Sequence, residues 1–209
     1  GCYFLLFDQR SPLAADPAIR SWLCELINPI SLLSNAGPIY QRYWSPAYGL
    51  LPRWHHNRTL AQQPKPAGLT ELTLTYYSEH SEFHAIQLAI EPLLAQQGIK
   101  LNIQVVDYDT WHKGEASSDL WLGSANFYLP LEFSLFATLY ELPLMQHCMN
   151  EDLATDAAQW RANALPLADF CQRLVSNHQL HPLFHHWLQL HGQRSICLLY
   201  TSPSPRDTR

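Results

Sequence analysis

Histidine is the residue type whose number most invites a chemical role here, because the imidazole ring binds metals and transfers protons near neutral pH. The chain has 11 histidines, and two adjacent pairs stand out, His55-His56 and His185-His186. Zinc ligands on one helix or turn are commonly about three to five residues apart, whereas adjacent side chains on a strand point to opposite faces. We therefore expect no metal site and interpret the histidines as residues that bind no metal.

Motifs of the common enzyme classes are absent from the sequence. A serine-hydrolase elbow needs Gly-x-Ser-x-Gly, and Gly123-Ser124-Ala125-Asn126 lacks the second glycine. The chain has 8 glycines and contains neither a dinucleotide-binding fingerprint nor a phosphate loop. Carboxylate pairs such as Glu151-Asp152 come where a helix is predicted to begin, and capping explains them. We expect neither catalysis nor a cofactor.

Two groups of aromatic residues are candidates for the wall of a small-molecule pocket. One surrounds Pro46 and Pro52, and the other flanks Asn126 just after a predicted strand. In α/β sheets, ligands bind beyond the carboxyl ends of the strands. The predicted ligand-binding residues are Trp44, Arg53, Trp54, Ser124, Asn126 and Tyr128.

Each of these residues also has a purely structural interpretation. The tryptophans could pack in the core, and Asn126 could cap a turn. Arg53 lies between Pro52 and Trp54, and an arginine there suits an anionic group such as phosphate. It could equally lie at the solvent-exposed surface or at the rim of the core, and the sequence leaves both interpretations open.

Composition indicates a folded domain and limits its partners. Hydrophobic residues make up 47% of the chain and charged residues 15%, which is enough apolar surface for a core. The formal net charge of -5 disfavours binding to a polyanion such as DNA, so we expect no DNA contact from this chain. No run reaches the roughly 18 apolar residues of a membrane helix, so we expect no membrane contact.

The five cysteines are irregularly spaced: Cys2, Cys24, Cys148, Cys171 and Cys197. We expect them to be buried, in a protein from a reducing compartment.

The apolar pattern predicts an α/β fold with a mixed sheet. Cys2–Phe7 is typical of a buried strand. Asp16-Pro17 begins a helix, and Asn28-Pro29 ends that helix and begins a short second one. A strand at 72–77, a helix at 83–94 and a strand at 99–105 form a βαβ unit with parallel strands. Further strands are predicted at 119–122 and 182–190, and further helices at 130–140, 152–160 and 166–176.

The stretch from Gly37 to Gly68 has no sustained period. It holds five prolines and several aromatic residues. We interpret it as an ordered loop that becomes a polar linker from about Asn57.

Several strings resemble a known family. Gly1–Asp8 (GCYFLLFD), Pro46–His56 (PAYGLLPRWHH), Ser124–Phe127 and Gly192–Ser195 are similar to strings of the SgrR-type regulators of sugar-phosphate stress. The order of the segments also resembles that of family 5 solute-binding proteins, the dipeptide and oligopeptide binders. The resemblance covers residues 1–196, and Pro46–His56 is its most specific string.

This resemblance implies an α/β fold of the periplasmic-binding-protein type II kind, mainly the second lobe, with a mixed sheet flanked by helices. It implies that 1–196 is a partial solute-binding-like effector domain, with an N-terminal winged helix and the first lobe missing. The implied protein is a bacterial cytoplasmic regulator that senses a small molecule, such as a phosphosugar, and contacts DNA only through the winged helix. The family has no catalytic residue to carry over, and the pocket residues of the peptide binders do not map cleanly onto this sequence.

The sequence also allows a prediction for each end of the chain. Gly1 stands where an initiator Met would stand, which we interpret as an N-terminus that has been cut away. Residues 197–209 break with the preceding pattern, and Cys197–Asp207 resembles one reading frame of a sequencing adapter. We expect this tail to be non-native, with an ordinary Ser/Pro-rich disordered tail as the alternative.

Two functions remain open at this point. The leading hypothesis is a ligand-sensing domain of a cytoplasmic transcription regulator, without catalysis. The alternative is a periplasmic peptide-binding component of an ABC transporter. A winged helix upstream in the gene would favour the first, and a signal peptide would favour the second.

Overall fold

A six-stranded mixed sheet flanked by helices forms the centre of the molecule. The computed structural model describes residues 1–47, 63–125 and 142–186. In those ranges the elements, in chain order, are β1 (Cys2–Phe7), α1 (Pro17–Leu26), α2 (Pro29–Asn35), α3 (Pro38–Tyr43), β2 (Trp44–Pro46), β3 (Glu71–Tyr77), α4 (Glu82–Ala95), β4 (Lys100–Val106), α5 (Tyr108–Lys113), β5 (Leu120–Ala125), α6 (Pro143–Cys148), α7 (Glu151–Arg161), α8 (Leu167–Ser176) and β6 (Leu180–His186). The predicted α/β class and mixed sheet are confirmed.

The strands lie side by side in the order β2-β6-β1-β5-β3-β4. β3 is parallel to β4 and β5, whereas β1 is antiparallel to both of its neighbours, β5 and β6. β2 is antiparallel to β6. The carboxyl ends of β3, β4, β5 and β6 therefore lie along one edge of the sheet, beside the amino ends of β1 and β2.

β1 is buried on both of its faces. Each residue from Cys2 to Phe7 is 2% exposed or less. A strand covered on both faces favours a continuous apolar run over strict alternation, which explains the CYFLLF sequence. Burying one large apolar side chain contributes about 1.5–3 kcal/mol, so this strand is a major part of the core.

The first two helices begin where the sequence predicts. Asp16 caps α1 by accepting a hydrogen bond from the Ala18 N–H at 2.9 Å, and Pro17 takes the first helical position. Asn28 caps α2 in the same way, accepting from the Ser31 N–H at 2.9 Å. Each cap satisfies an amide that has no partner within its helix.

The predicted βαβ unit is confirmed. β3 and β4 pair in parallel, with Leu72 opposite Leu101 and Tyr76 opposite Val105. The hydroxyl of Tyr76 donates to Gln87 Oε1 of α4 at 2.5 Å, so α4 covers the face of the sheet to which Tyr76 belongs. The helix thereby fixes the position of the turn that leaves β3.

The prediction of an irregular loop after Gly37 is wrong for its first ten residues, which form α3, β2 and Ala47. A six-residue helix and a three-residue strand are too short to produce a visible period. The linker predicted from about Asn57 lies outside the described residues up to residue 62. From Gln63 to Thr70 the chain forms neither helix nor strand. The Gln63 carbonyl accepts a hydrogen bond from Trp22 Nε1 at 3.0 Å.

Other bounds also differ from the predictions. β5 runs to Ala125, so Ser124 lies on a strand rather than in the predicted loop. β6 begins at Leu180, and the predicted continuation to 190 and the predicted helix at 130–140 fall outside the described residues. The sequence analysis missed α5, although Asp107 caps it and Gly114, at φ +66°, ends it.

Gly123 of β5 lies where two aromatic rings approach the backbone. A Cβ atom at this position would stand 2.9 Å from ring atoms of both Phe4 and Trp111. Trp111 is held there because its Nε1 donates to the Leu122 carbonyl at 2.9 Å. A side chain at 123 would therefore push α5 away from the sheet.

The four cysteines in the described ranges are buried thiols that form no disulfide: Cys2, Cys24, Cys148 and Cys171. Burial raises the pKa of the Cys171 thiol to about 12 and raises the pKa of the Cys148 thiol well above its ordinary value. The thiolate is the reactive form of cysteine, so these two side chains act as small apolar groups. The prediction of buried cysteines is confirmed for these four.

We expect Gly123→Ala to lower the free energy of unfolding by about 1–3 kcal/mol, because overpacking of this size strains a filled core. Urea unfolding of the purified chain measures the change. Gly37→Ala is the matched control, because its Cβ would meet only Tyr40 Cδ2, at 3.8 Å. Equal stability losses in the two variants would contradict the close approach at Gly123.

Candidate functional site

The edge at which β3, β4, β5 and β6 end is the candidate functional site, and we name it the carboxyl edge. Its strands end or begin at Tyr77, Val106, Ala125, His186, Cys2 and Trp44. In open α/β sheets, ligand crevices form outside the carboxyl ends of the strands. Trp44 and Ser124, two of the predicted site residues, lie here.

Tyr3 joins these two residues. It lies opposite Ser124 in the register of β1 and β5. Its ring stands edge-on to the ring of Trp44, with the centroids 5.6 Å apart. One buried tyrosine therefore brings Trp44 and Ser124 to the same part of the carboxyl edge.

Trp44 is packed among other rings. Tyr40 stacks on it with a centroid distance of 4.4 Å, and Phe184 stacks on it at 4.8 Å. Only 4% of Trp44 is exposed. These contacts hold α3 and β2 against β6, and a direct contact between Trp44 and a ligand stays a prediction.

A second group of rings follows Tyr3 along the carboxyl edge, and we name it the aromatic ladder: Tyr3, Tyr77, His80, Phe83, Tyr108 and Trp111. The His80 ring lies 5.3 Å from Tyr3 and 4.7 Å from Phe83. Tyr77 contacts Phe83 at 4.8 Å, Tyr108 at 5.1 Å and Trp111 at 4.8 Å, in each case near a right angle. Such pairs contribute about 0.5–1.5 kcal/mol each. The ladder therefore fixes the turn after β3 against the turn after β4.

His80 is oriented by a carboxylate. Its Nδ1 lies 2.7 Å from Glu82 Oε2, and the Ser81 hydroxyl donates to the same oxygen at 3.2 Å. The hydrogen bond from His80 lowers the pKa of Glu82 from 4.5 to about 2. Glu82 thus remains ionised in neutral solution and holds the imidazole in one orientation.

The turn after β4 carries further carboxylates. Asp107 accepts a hydrogen bond from the Thr110 N–H at 2.7 Å, and this capping interaction lowers the pKa of Asp107. Asp109 forms an ion pair of 3.0 Å with Lys113. Burial raises the pKa of the Tyr77 phenol. This part of the carboxyl edge therefore combines negative carboxylates with an uncharged phenol.

A pocket of about 470 Å³ lies at the opposite edge of the sheet, and its walls are Asp8, Arg10, Ser11, Pro12, Gly114, Glu115, Ala116, Ser117, Ser118 and Asp119. Asp8 is 1% exposed and accepts hydrogen bonds from Arg10 Nη2 at 2.7 Å and Trp121 Nε1 at 2.9 Å. Asp119 accepts from the Ser11 hydroxyl at 2.5 Å. Because protein donors already satisfy these carboxylates, we interpret them as fastening the end of β1 to the start of β5.

Two kinds of feature are missing from the described ranges. No group of three or more His, Cys, Asp and Glu side chains is placed to hold a metal ion there. None of the helices in the same part of the chain has the length and apolar character that crossing a membrane requires.

Comparison with known proteins connects this arrangement to a family. A protein named HTH-type transcriptional regulator SgrR, from Yersinia pestis (strain Pestoides F), is 70% identical over 196 residues, which is 94% of this chain. Proteins of the same name from Pectobacterium atrosepticum and Photorhabdus laumondii are 58% and 52% identical over 196 residues. The chain is a homologue of the SgrR-type regulators. It spans 35% of the length of the Yersinia pestis protein, and no protein-family model matches it.

Solved structures that share the fold of this chain include two proteins named as binding proteins. The murein tripeptide binding protein MppA of Escherichia coli superposes with a TM-score of 0.63 at 16% identity, covering 88% of this chain and 42% of MppA. The substrate binding protein CtaP of Listeria monocytogenes gives 0.67 at 15% identity, covering 88% and 43%. A nickel ABC transporter protein of Bacillus halodurans gives 0.68 at 13% identity, covering 88% and 46%. The fold is therefore of the periplasmic-binding-protein type II kind, as the sequence analysis expected.

The structure places only part of the predicted site. Trp44 and Ser124 both lie at the carboxyl edge, on either side of Tyr3, whereas Arg53, Trp54, Asn126 and Tyr128 lie outside the described residues.

The sequence analysis missed the residues that follow β3 and β4, above all Tyr77, His80 and Tyr108. The same rule that selected Ser124 could have found them, because each ends or closely follows a predicted strand.

We expect Glu82→Gln to remove an acid-dependent part of the stability of the SgrR-type segment. Because the folded pKa of Glu82 lies below its unfolded value of 4.5, its contribution is present above pH 4.5 and is lost as the pH falls toward 2. Allowing for solvent screening, the contribution is about 1–2 kcal/mol. Urea unfolding at several pH values between 2 and 6 measures it.

Glu79→Gln is the control, because Glu79 is exposed in the same turn. Between pH 5 and pH 2 the original chain should lose more stability than the Glu82→Gln variant. If the free energy of unfolding of the original chain and of the Glu82→Gln variant falls by the same amount over this pH range, the His80–Glu82 pair does not form.

Proposed function

We propose that this segment is the small-molecule-sensing part of a cytoplasmic, SgrR-type transcription regulator that responds to sugar-phosphate stress. The observation that carries the proposal is 70% identity, over 94% of the chain, to a protein named HTH-type transcriptional regulator SgrR. The segment senses and does not catalyse. DNA is contacted by a winged helix elsewhere in the regulator, which fits the net charge of -5 on the present chain.

The carboxyl edge supports a sensing role because it offers one wall of a ligand cleft. Binding proteins of this fold hold a ligand between two lobes and close around it by a hinge motion. Residues 1–196 supply chiefly the second lobe, and the remainder of the regulator supplies the facing lobe. A ligand that binds the closed form more tightly shifts the population of the regulator toward that form, and the winged helix carries the change to DNA.

The proposed ligand contacts are Trp44, Arg53, Trp54, Ser124, Asn126 and Tyr128. Ser124 is supported by its place on the carboxyl edge beside Tyr3. Arg53 is proposed as the contact for an anionic group such as phosphate, since a guanidinium binds phosphate through two parallel hydrogen bonds.

For the C-terminal tail, residues 197–209, a non-native origin also remains a proposal.

Peptide binding is the second candidate function. It is favoured by the solved structures that share the fold, one of which is named a murein tripeptide binding protein. On this alternative the chain is part of a periplasmic component of an ABC transporter. Titration with a tripeptide distinguishes it from the first candidate.

The direct test is isothermal titration calorimetry of the full-length regulator with glucose 6-phosphate, with glucose and inorganic phosphate as comparison ligands. We expect saturable binding of glucose 6-phosphate. If glucose 6-phosphate and other sugar phosphates release no heat while a tripeptide binds, the phosphosugar proposal fails and peptide binding replaces it.

Arg53→Ala in the full-length regulator tests the proposed phosphate contact. We expect at least about tenfold weaker binding of glucose 6-phosphate, because one lost charge-assisted contact of about 1.4 kcal/mol changes affinity tenfold. Arg161→Ala, at the exposed end of α7, is the matched control and should bind as the original protein does. Unchanged binding by the Arg53 variant would remove that residue from the site.

A further inference from the structure

Tyr108 differs from the rest of the aromatic ladder in its exposure. It is 48% exposed, whereas Tyr3, Tyr77, Phe83 and Trp111 are all 9% exposed or less. It is the first residue of α5 and lies two residues beyond the carboxyl end of β4. Its ring is therefore a large aromatic surface that is open to solvent on the carboxyl edge.

The Tyr108 ring is held by its neighbours. Tyr77 meets it edge-on with a centroid distance of 5.1 Å, and the rings of Trp111 and His112 lie 5.8 Å and 5.7 Å away. Asp107, immediately before it, is fixed by its capping hydrogen bond to Thr110. An exposed ring already fixed in position loses little conformational freedom when a ligand packs on it.

Charge in the turns after β3 and β4 disfavours an anion beside this ring. Glu79, Glu82, Asp107 and Asp109 bring four carboxylates to these turns. Lys113, the Lys or Arg side chain nearest to Tyr108 in sequence, pairs with Asp109, and the His80 imidazole lies against Glu82. A phosphate group placed there would meet like charges, which disfavour it.

A cation at the other end of the edge does not change this conclusion. Arg42 of α3 is exposed and lies two residues before β2, and β2 and β4 are the outermost strands of the sheet. Five strand spacings of about 4.8 Å separate those two strands, or about 24 Å. This span is far longer than a hexose phosphate, so one such ligand cannot contact both Tyr108 and Arg42. For the same reason a ligand that stacks on Tyr108 does not reach Trp44 of β2, whereas Ser124 lies on β5, two strands from β4.

We infer that Tyr108 is a stacking surface for the uncharged, hydroxyl-bearing ring of the ligand. The C–H face of a sugar ring packs on the tyrosine, and nearby carboxylates accept hydrogen bonds from its hydroxyl groups. The anionic group of a phosphosugar points away from the turns after β3 and β4 toward other parts of the regulator. This assignment rests on the proposed sensing function and names the chemical part of the ligand that this lobe recognises.

The experiment is calorimetry of the full-length regulator with three probes: glucose 6-phosphate, glucose and inorganic phosphate. The variants are Tyr108→Ala, Tyr108→Leu and Tyr108→Phe. We expect at least about tenfold weaker binding of glucose 6-phosphate after the first two substitutions, and a change below about threefold after Tyr108→Phe, which keeps the ring. Leu88→Ala, which trims another exposed apolar side chain (51% exposed), is the control and should leave affinity unchanged.

Each outcome separates the inference from the function on which it rests. If glucose 6-phosphate binds the original protein and the Ala and Leu variants equally well, the stacking surface is wrong and the sensing function stands. If glucose binds through Tyr108 and glucose 6-phosphate does not bind, the stacking surface stands and the phosphosugar ligand is wrong. If none of the probes binds the original protein, both are overturned.

Discussion

Burial of β1 on both faces is the constraint from which the rest of the molecule follows. The strand occupies an inner position in the sheet and runs antiparallel to each neighbour. Because β5 and β6 are both antiparallel to β1, they run in the same direction as each other. β3 is parallel to β5 and to β4, so these four strands share one direction. The reversed direction of β1 thereby brings four carboxyl ends to a single edge, and the hydrogen bond from Trp121 Nε1 to Asp8 attaches the far end of β1 to β5. A polar residue inside Cys2–Phe7 would disturb both the core and the alignment of that edge.

Local features predicted much of the fold. Asp16-Pro17 and Asn28-Pro29 combine a capping side chain with a proline at the first helical position, so they marked their helices without help from the tertiary structure. Periods in the sequence likewise marked β3, α4 and β4. Elements as short as α3 and β2 contain too few residues to show a hydrophobic period, and the sequence analysis therefore interpreted them as a loop. The misjudged end of β5 has a packing cause, since Gly123 and Ser124 are typical turn residues that Phe4, Trp111 and Tyr3 hold in a strand.

The sequence led to the carboxyl edge as a candidate site, and the ligand contacts predicted there stay predictions. The rule that ligands lie beyond strand ends led to Ser124 because aromatic residues crowd that part of the sequence. The same crowding favoured Trp44, whose ring is 4% exposed and packs against Tyr40 and Phe184. The same rule reaches the position of Tyr108, just after β4, but the exposure of its ring depends on α5, an element that had not been predicted. Exposure is a tertiary property, and neither residue type nor spacing reveals it.

The buried thiols have a practical consequence for spectroscopy. Maleimide reagents attack thiolates, and Cys148 and Cys171 are inaccessible groups whose pKa values are raised. With Cys197 replaced by serine, a cysteine introduced on the carboxyl edge would therefore be labelled over a low background. A fluorophore at that position, paired with a second one on the facing lobe of the proposed full-length regulator, would report whether the distance between them changes when a ligand is added.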